Sequence, residues 1–161
     1  MSLLKTNSIQ HNDASAANIT LDGSKNVTCE NNVTVDGTLT QTGTATFSGV
    51  STFNAAAVGE VTTLSDGATI ATDLALSNNF SVTLEGNRTL DQPTNQVAGQ
   101  SGSFFVTQDA TGSRTLAYHA DFKWAGGTAP TLTTTAAAVD RIDYVVAAAN
   151  KIHVVASLDV K

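Results

Sequence analysis

Apolar side chains recur at steps of six residues through the first third of the chain. The recurring residues are Val27, Val33, Leu39 and Ala45 in one register and Val35, Phe47 and Phe53 in a second, which is interrupted at Gln41. Turn signals lie between them, at Asp22-Gly23, Asp36-Gly37, Thr42-Gly43 and Ser48-Gly49. The pattern predicts short extended segments that are joined by tight turns and repeated.

Residues 1–60 contain few large apolar side chains for their length. Burial of apolar surface contributes about 25 cal/mol per Å², whereas ordering the backbone costs roughly 1–2 kcal/mol per residue. A single chain is therefore not expected to fold here, but three copies wound together would share one apolar interior and pair their strand edges. We predict a β-rich shaft in an intertwined homotrimer, whose core is formed by Val27, Val33, Val35, Leu39, Phe47 and Phe53. The alternative is a disordered linker, because richness in Thr, Gly and Asn also suits disorder.

The composition of the whole chain favours strands over helices. Hydrophobic residues make up 41%, much of it alanine, and charged residues only 14%, against roughly 25% in an average globular domain. Threonine is β-branched and fits a pleated surface, while the Lys and Glu that cover exposed helix faces are scarce. An all-β fold is predicted, with helix at most a minor element.

From Val61 onward the pattern is that of conventional strands. Four sets of apolar residues are each predicted to face one side of a strand, namely Phe80, Val82 and Leu84; Leu116 and Tyr118; Ile142, Tyr144 and Val146; and Ile152, Val154, Ala156 and Leu158. Residues 103–108 form a further strand-like run around Phe104, Phe105 and Val106. Residues 109–113 and 149–151 have the composition of hairpin connections. We predict that residues 61–161 form an antiparallel β-sandwich-like knob, with 61–77 as its joint to the shaft and with strand character around Ala68 to Leu76.

Charge and targeting signals exclude several functions. The formal net charge is -6 and the eight basic residues are scattered, so nucleic acid is not an expected partner. Cys29 is the single cysteine; it is expected to be a small buried apolar residue. There is no signal-peptide pattern and no stretch near the ~18 apolar residues of a membrane span. Membrane insertion is not expected, and release from the cell is expected to occur by lysis.

Two stretches resemble fibre proteins of bacteriophages. Residues 8–28, SIQHNDASAANITLDGSKNVT, and then 33–49, VTVDGTLTQTGTATFSG, resemble the shaft segments of tail fibres in tailed phages, marine ones above all. The run that begins GNRTLDQPTNQVAGQSGSFFVTQDATGSRTL and continues from Phe122 to Val160 is similar to the terminal knob of such fibres. The resemblance implies a trimeric virion protein. Its N-terminal segment would dock on other virion proteins of the capsid or tail, and its knob would face the host.

Catalytic and metal-binding patterns are weak. The nearest carboxylate pairs are Asp140 with Asp143 and Asp109 with Asp121. Asp140 and Asp143 fall on opposite faces of a strand, so they suit glycoside cleavage poorly and are expected to be surface charges. His11, His119 and His153 have no metal-ligand spacing. No enzyme activity, cofactor or metal is predicted; one His per subunit on the trimer axis is the alternative for a metal.

One cluster has the chemistry of a receptor site. Tyr118, His119, Asp121, Lys123 and Trp124 precede the Gly126-Gly127 turn. Aromatic faces beside hydrogen-bonding groups stack on sugar rings, so we predict contact with a host surface glycan or protein. The alternative is that Tyr118 and Trp124 belong to the core or to a subunit interface. Arg141 and Asp143 are expected to form an ion pair between subunits or to be surface charges.

The predicted function is that of a trimeric virion fibre that mediates or supports attachment to the host cell surface. It would assemble in the host cytoplasm. One alternative is a head decoration or cement fibre, or a tail adaptor, without receptor binding. A third hypothesis, an enzyme that acts on envelope glycans, is the weakest. Adsorption to susceptible cells favours attachment, and binding to empty heads favours decoration.

Overall fold

A computed structural model describes residues 33–161. The chain divides into two units, Met1–Ser51 and Thr52–Lys161. In the described residues there is no α-helix, and the single helical element is a short 3-10 turn, Ala125–Gly127. Nothing in residues 33–161 forms a helix long and apolar enough to cross a membrane. The prediction of a β-rich chain is confirmed.

Residues 33–60 contain no strand, and they are exposed along their length. The backbone bends at Asp36-Gly37, at Gly43 and at Ser48-Gly49. These bends coincide with three of the predicted turns; the fourth, Asp22-Gly23, lies outside the described residues. Bends therefore occur at the predicted turn positions of residues 33–60, but the extended pieces between them pair with no strand among residues 33–161.

The second unit consists of strands that we number in chain order. Residues 52–161 contain the strands β1 (Val61–Thr63), β2 (Thr69–Ile70), β3 (Asn79–Leu84), β4 (Arg88–Leu90), β5 (Ser101–Gln108), β6 (Leu116–Tyr118), β7 (Phe122–Trp124), β8 (Val139–Ala148) and β9 (Lys151–Ser157).

The first six strands wind in a coil of three turns, and each turn contributes one strand to each of two sheets. The chain alternates between them, so that β1, β3 and β5 lie in one sheet and β2, β4 and β6 in the other. Every pairing within the coil is parallel: Val61 lies opposite Asn79, which lies opposite Ser103, and Thr69 lies opposite Thr89. A parallel pair needs a long crossover between its strands. Here each crossover is the strand that the chain contributes to the opposite sheet.

The last three strands extend the larger sheet. β8 pairs antiparallel with β5, and β9 pairs antiparallel with β8. β7 then adds to β9 in parallel, which completes a six-stranded sheet in the order β1-β3-β5-β8-β9-β7. The smaller sheet keeps three strands and ends at β6. Because β6 pairs only with β4 in the described chain, its other edge is open.

The core lies between the two sheets and is centred on aromatic rings. Phe104 stacks on Phe80 with ring centroids 5.4 Å apart, and its ring lies 5.3 Å from that of Tyr144. The burial of Tyr144 raises the pKa of its hydroxyl to about 12. The other buried apolar side chains are Ile70, Leu74, Val82, Leu84, Leu90, Val106, Phe122, Leu132, Ile142, Val146, Ile152 and Val154. The predicted alternation of inward residues is therefore confirmed along β3, β8 and β9. The prediction is wrong at Leu158, which lies beyond the end of β9 and is 43% exposed. In the run 103–108, Phe104 and Val106 face the core and Phe105 faces the other side.

The prediction of an antiparallel sandwich is wrong, because the sheets are mixed. Residues 149–151 do close the β8–β9 hairpin, as expected, but residues 109–113 connect β5 to β6 in different sheets. In that connection, Asp109 Oδ1 accepts hydrogen bonds from the backbone N–H groups of Thr111 and Gly112. Residues 61–77, which were predicted to have strand character around Ala68 to Leu76, contain β1 and β2 of the first turn of the coil. Alternation fixes which side chains face inward, but it is the same for parallel and antiparallel neighbours.

Two ion pairs lie in the coil, and the pair of Asp66 with Arg88 joins successive turns of it. Asp66, in the turn after β1, binds Arg88 at the start of β4, with Arg88 Nε 2.9 Å from Asp66 Oδ1. Asp109, in the turn after β5, binds Arg114 with 2.7 Å between Oδ2 and Nη2. Hydrogen bonds from the two guanidinium groups lower the pKa values of Asp66 and Asp109. These pairs therefore favour the folded coil most when both carboxyl groups are ionised.

Asp140 is not the surface charge that was expected. Only 2% of the residue is exposed, and its carboxylate accepts hydrogen bonds from the N–H of Thr133, the hydroxyl of Thr133 and the N–H of Asp159. Asp143 lies on the opposite face of β8 and pairs with Arg141 of the same strand at 3.0 Å. The predicted separation of the two carboxylates is confirmed, while the ion pair of Arg141 and Asp143 forms within one chain.

Candidate functional site

A cleft of about 450 Å³ lies where β6 turns into β7. The open edge of β6 forms one wall, because the smaller sheet ends there while the larger one continues to β7. Its lining residues are Leu116, Ala117, Tyr118, His119, Ala120, Phe122, Lys123, Trp124, Gly127 and Ala129. Four of the five predicted receptor residues therefore line one cleft, and the fifth, Asp121, lies in the turn beside it.

The aromatic residues of the cleft belong to its floor. The rings of Tyr118 and Trp124 meet edge to face with centroids 4.9 Å apart, and Tyr118 also contacts Phe122 at 6.0 Å. Both rings are partly buried against the core. Burial, with a smaller effect from the charge of Asp140, raises the pKa of the Tyr118 hydroxyl. The two rings therefore pack against the core, as the alternative prediction for Tyr118 and Trp124 held, and they also expose part of their surface to the cleft.

Two hydrogen-bonding groups of the floor have no partner. The hydroxyl of Tyr118 and the indole N–H of Trp124 are buried, and neither makes a hydrogen bond to any part of the chain that the structure describes. A buried donor without a partner costs roughly 1–3 kcal/mol. Such groups recur at sites where strain or function is retained. These two donors therefore mark the floor as the least satisfied part of the core.

Asp121 positions the turn and does not face the cleft. It is 5% exposed, and its Oδ2 accepts hydrogen bonds from Gln92 Nε2 at 3.1 Å and Gln96 Nε2 at 3.0 Å. Its Oδ1 lies 3.3 Å from His119 Nδ1. The carboxylate is thus held by two amides from the loop after β4. This network was missed in the sequence, where Gln92 and Gln96 have no distinguishing pattern.

The exposed polar groups of the cleft are basic. Lys123 points to solvent from β7, and its Nζ donates to the carbonyl of Ala120 at 2.5 Å. The side chain of His119 is about one third exposed, at 35%. Beyond them, Gly126 and Gly127 have φ values of 71° and 78°, which favour glycine, and a Cβ built on either would meet nothing within 4 Å. The rim of the cleft at this turn is therefore open.

No metal centre is apparent in residues 33–161, because no three His, Cys, Asp or Glu side chains come together there. His153 lies on β9 beside Lys123 of β7, and His11 lies outside the described residues. Val27 of the predicted trimer core is also outside them. The other five core residues have large exposed fractions in the single chain, namely Val33 68%, Val35 48%, Leu39 75%, Phe47 71% and Phe53 69%.

The family model with the description "Putative phage tail fibre C-terminal domain" matches residues 65–149. This is more than half of the chain. The chain belongs to this phage tail fibre family. The matched range begins in the first turn of the coil and extends through β8, so it includes the whole cleft. Searches of curated proteins and of solved structures found no match.

Membership of the tail fibre family confirms two predictions. The family is a structural one, so the expectation that the chain is not an enzyme is correct. A tail fibre domain is also a component of the virion. The five predicted receptor residues lie within the matched range, whereas the predicted trimer core lies before it. Those two sets of residues remain predictions about binding and assembly.

Proposed function

We propose that this tail fibre protein is a homotrimer that mediates or supports attachment of the virion to the host cell surface. The observation that carries the trimer is the exposure of Val33, Leu39 and Phe47 at positions set by a six-residue repeat. In a lone chain this apolar surface would remain in water. Three copies that wind together would bury it at a shared axis and pair the extended segments of residues 33–60, which have no strand partner in the part of the chain that the structure describes.

Attachment is assigned to the cleft between β6 and β7. Its floor offers the aromatic surface of Tyr118 and Trp124, and its rim offers His119 and Lys123 as hydrogen-bonding groups. Sugar rings stack on aromatic surfaces and are oriented by polar groups at the margin. A glycan of the host surface is therefore the ligand that we propose, while Asp121 acts by holding the turn.

A weak site suffices in this mechanism. Three clefts on one fibre, repeated around the particle, would bind a surface far more tightly than one cleft binds one sugar. The N-terminal segment would dock on other virion proteins of the capsid or tail. Assembly in the host cytoplasm and release by lysis complete the proposed route to the particle.

Competition with the virus for susceptible cells tests the attachment role. Purified full-length protein should bind the cells and reduce virus adsorption, and Lys123→Glu should weaken both effects. Lys151→Glu is the matched control, because Lys151 is an exposed lysine that does not line the cleft. If the wild-type protein binds empty heads and leaves adsorption unchanged, attachment is refuted and head decoration is supported.

A further inference from the structure

The described residues that line the cleft between β6 and β7 include no acidic side chain, although the chain as a whole is acidic. We propose that the ligand of this cleft is an acidic glycan, whose carboxylate or sulfate group binds the ammonium group of Lys123. The inference rests on the proposed attachment function, and it names the class of sugar that the cleft selects.

The polar groups at the rim of the cleft are basic. The chain has 14 Asp and Glu residues against 8 Lys and Arg residues, so its surface as a whole repels an anion. At the rim, by contrast, the polar side chains are those of Lys123 and the half-buried His119. A cleft that is lined by one sign of charge concentrates ligands of the opposite sign. The cleft is therefore a place where a negatively charged ligand can approach an acidic protein.

Two carboxylates close to the cleft direct their hydrogen bonds into the protein. Asp121, in the turn beside the cleft, is 5% exposed, and its Oδ2 binds the side-chain amides of Gln92 and Gln96. Asp140, whose charge acts on the hydroxyl of Tyr118, is 2% exposed and accepts three hydrogen bonds from other residues. Because both carboxylates are buried and bonded, neither faces a ligand in the cleft.

Lys123 is held at the cleft, and it has no carboxylate partner among the described residues. Its Nζ donates to the carbonyl of Ala120 at 2.5 Å, and Ala120 itself lines the cleft. An ammonium group has three N–H donors, so this bond leaves two of them for a ligand. Lys123 takes part in none of the ion pairs that the described residues form, whereas each arginine of the chain pairs with an aspartate. A carboxylate or sulfate would form charge-assisted hydrogen bonds with the ammonium, which are stronger than hydrogen bonds to a neutral sugar hydroxyl.

An imidazole lies on each side of Lys123. In His119, Nδ1 accepts the backbone N–H of Asp121 at 3.2 Å, so the proton of the neutral ring is on Nε2 and can be donated to a ligand. His153 of β9 lies directly opposite Lys123 of β7. It lines a second depression, of about 340 Å³, which shares Lys123 and Trp124 with the cleft and whose described lining residues include no acid. A sugar chain that follows the cleft and the second depression therefore passes Lys123 with an imidazole on either side.

The floor of the cleft favours a glycan over a free anion. The rings of Tyr118 and Trp124 expose part of their surface to the cleft, and sugar rings stack on aromatic surfaces. The cleft has a volume of about 450 Å³, whereas a water molecule, which is close in size to the smallest anions, occupies about 30 Å³ of liquid. An acidic sugar uses both features, because its ring covers the aromatic floor while its charged group reaches the basic rim.

The test measures the binding of full-length protein to susceptible cells as NaCl is raised from about 50 to about 300 mM, a range over which exposed charges are increasingly screened. Binding by the wild type should weaken with salt. Lys123→Gln should bind about tenfold more weakly at the lower salt concentration, because it loses a hydrogen bond between charged groups, and its binding should depend less on salt. Lys123→Arg, which keeps the charge, should retain most of the binding. The matched control is Lys151→Gln, because Lys151 is an exposed lysine of β9 that lines neither the cleft nor the second depression.

Soluble sugars identify the charged group of the ligand. Trisaccharides of galacturonate, of sulfated galactose and of uncharged galactose are each added at one concentration to wild-type protein and cells. Inhibition of binding by the galacturonate trisaccharide alone indicates a carboxylate, and inhibition by the sulfated one alone indicates a sulfate; either result supports the inference. Inhibition by the uncharged trisaccharide that is as strong as inhibition by the charged ones overturns it.

The outcomes separate this inference from the proposed function. If the wild type binds cells and reduces virus adsorption while Lys123→Gln binds as tightly as the wild type, the acidic ligand is overturned and attachment stands. If the wild type binds no cells and leaves adsorption unchanged, attachment is overturned, and the ligand class with it.

Discussion

Replacement of Asp140 is expected to destabilise the knob far more than replacement of Asp143, three residues away on the same strand. The carboxylate of Asp140 accepts two backbone N–H groups, from Thr133 at 2.7 Å and from Asp159 at 2.8 Å, and it also binds the hydroxyl of Thr133. It therefore connects β8 to the preceding loop and to the C-terminal residues. Asp143 is 36% exposed and binds Arg141 and Ser103 at the surface.

The size of the effect follows from the donors left without partners. Asp140→Ala leaves two backbone N–H groups unpaired, and each unpaired buried donor costs roughly 1–3 kcal/mol, so we expect a loss of about 2–6 kcal/mol. In Asp140→Asn one carboxylate oxygen is replaced by an NH₂ group, so that two hydrogen-bond donors face each other. We expect the free energy of unfolding to fall by roughly 1–3 kcal/mol. For Asp143→Asn we expect the free energy of unfolding to fall by only about 0–1 kcal/mol, because the ion pair with Arg141 lies at the surface.

Urea unfolding monitored by the fluorescence of Trp124, the single tryptophan, gives the three free energies of unfolding. All variants must be compared at one protein concentration, because association stabilises the folded state by mass action. An Asp140→Asn protein that unfolds within about 0.5 kcal/mol of wild type, a margin within which surface substitutions usually fall, would refute the structural role of the carboxylate. A larger loss in Asp143→Asn than in Asp140→Ala would refute it as well.

Three further predictions concern pH and packing. The pKa values of Asp66 and Asp109 are lowered in the fold from 3.8. The stability that these two carboxylates contribute should therefore be complete when the pH is above their pKa in the unfolded chain, and it should disappear as the pH falls below about 4. Acid unfolding of the wild type and of the two Asn variants checks this. The pKa of Tyr144 is raised to about 12, so stability should fall as the pH rises from about 10 through 12, and absorbance at high pH should show tyrosine ionisation delayed until unfolding. Gly102→Ala should cost roughly 1–3 kcal/mol in thermal or urea unfolding, because a Cβ there would overlap the carbonyl of Asn78.

The features that sequence could predict are those fixed by short-range periodicity. Alternation in β3 correctly placed Phe80, Val82 and Leu84 in the core, and the Gly-containing turn signals placed the bends of residues 33–60. The cluster of residues 118–124 came together because it is nearly contiguous, with one strand on each side of a short turn. Each of these follows from the geometry of a few neighbouring residues.

The features that were missed depend on long-range partners. The direction of strand pairing follows from the path of the chain between two sheets, which alternation does not encode. The burial of Asp140 requires donors from Thr133 and Asp159, and the support of Asp121 requires Gln92 and Gln96. From sequence alone a carboxylate is expected to be exposed, because carboxylates are rarely buried unless such partners are present.

The order of the strands also sets a hazard during translation. The edge of β5 is covered by β8, which leaves the ribosome about 40 residues later, a delay of roughly 2–8 s at 5–20 residues per second. For those seconds the nascent coil presents unpaired backbone groups while other chains of the same message are being made nearby. Wrong pairing between nascent chains is therefore expected at the edge of β5 until β8 has been made.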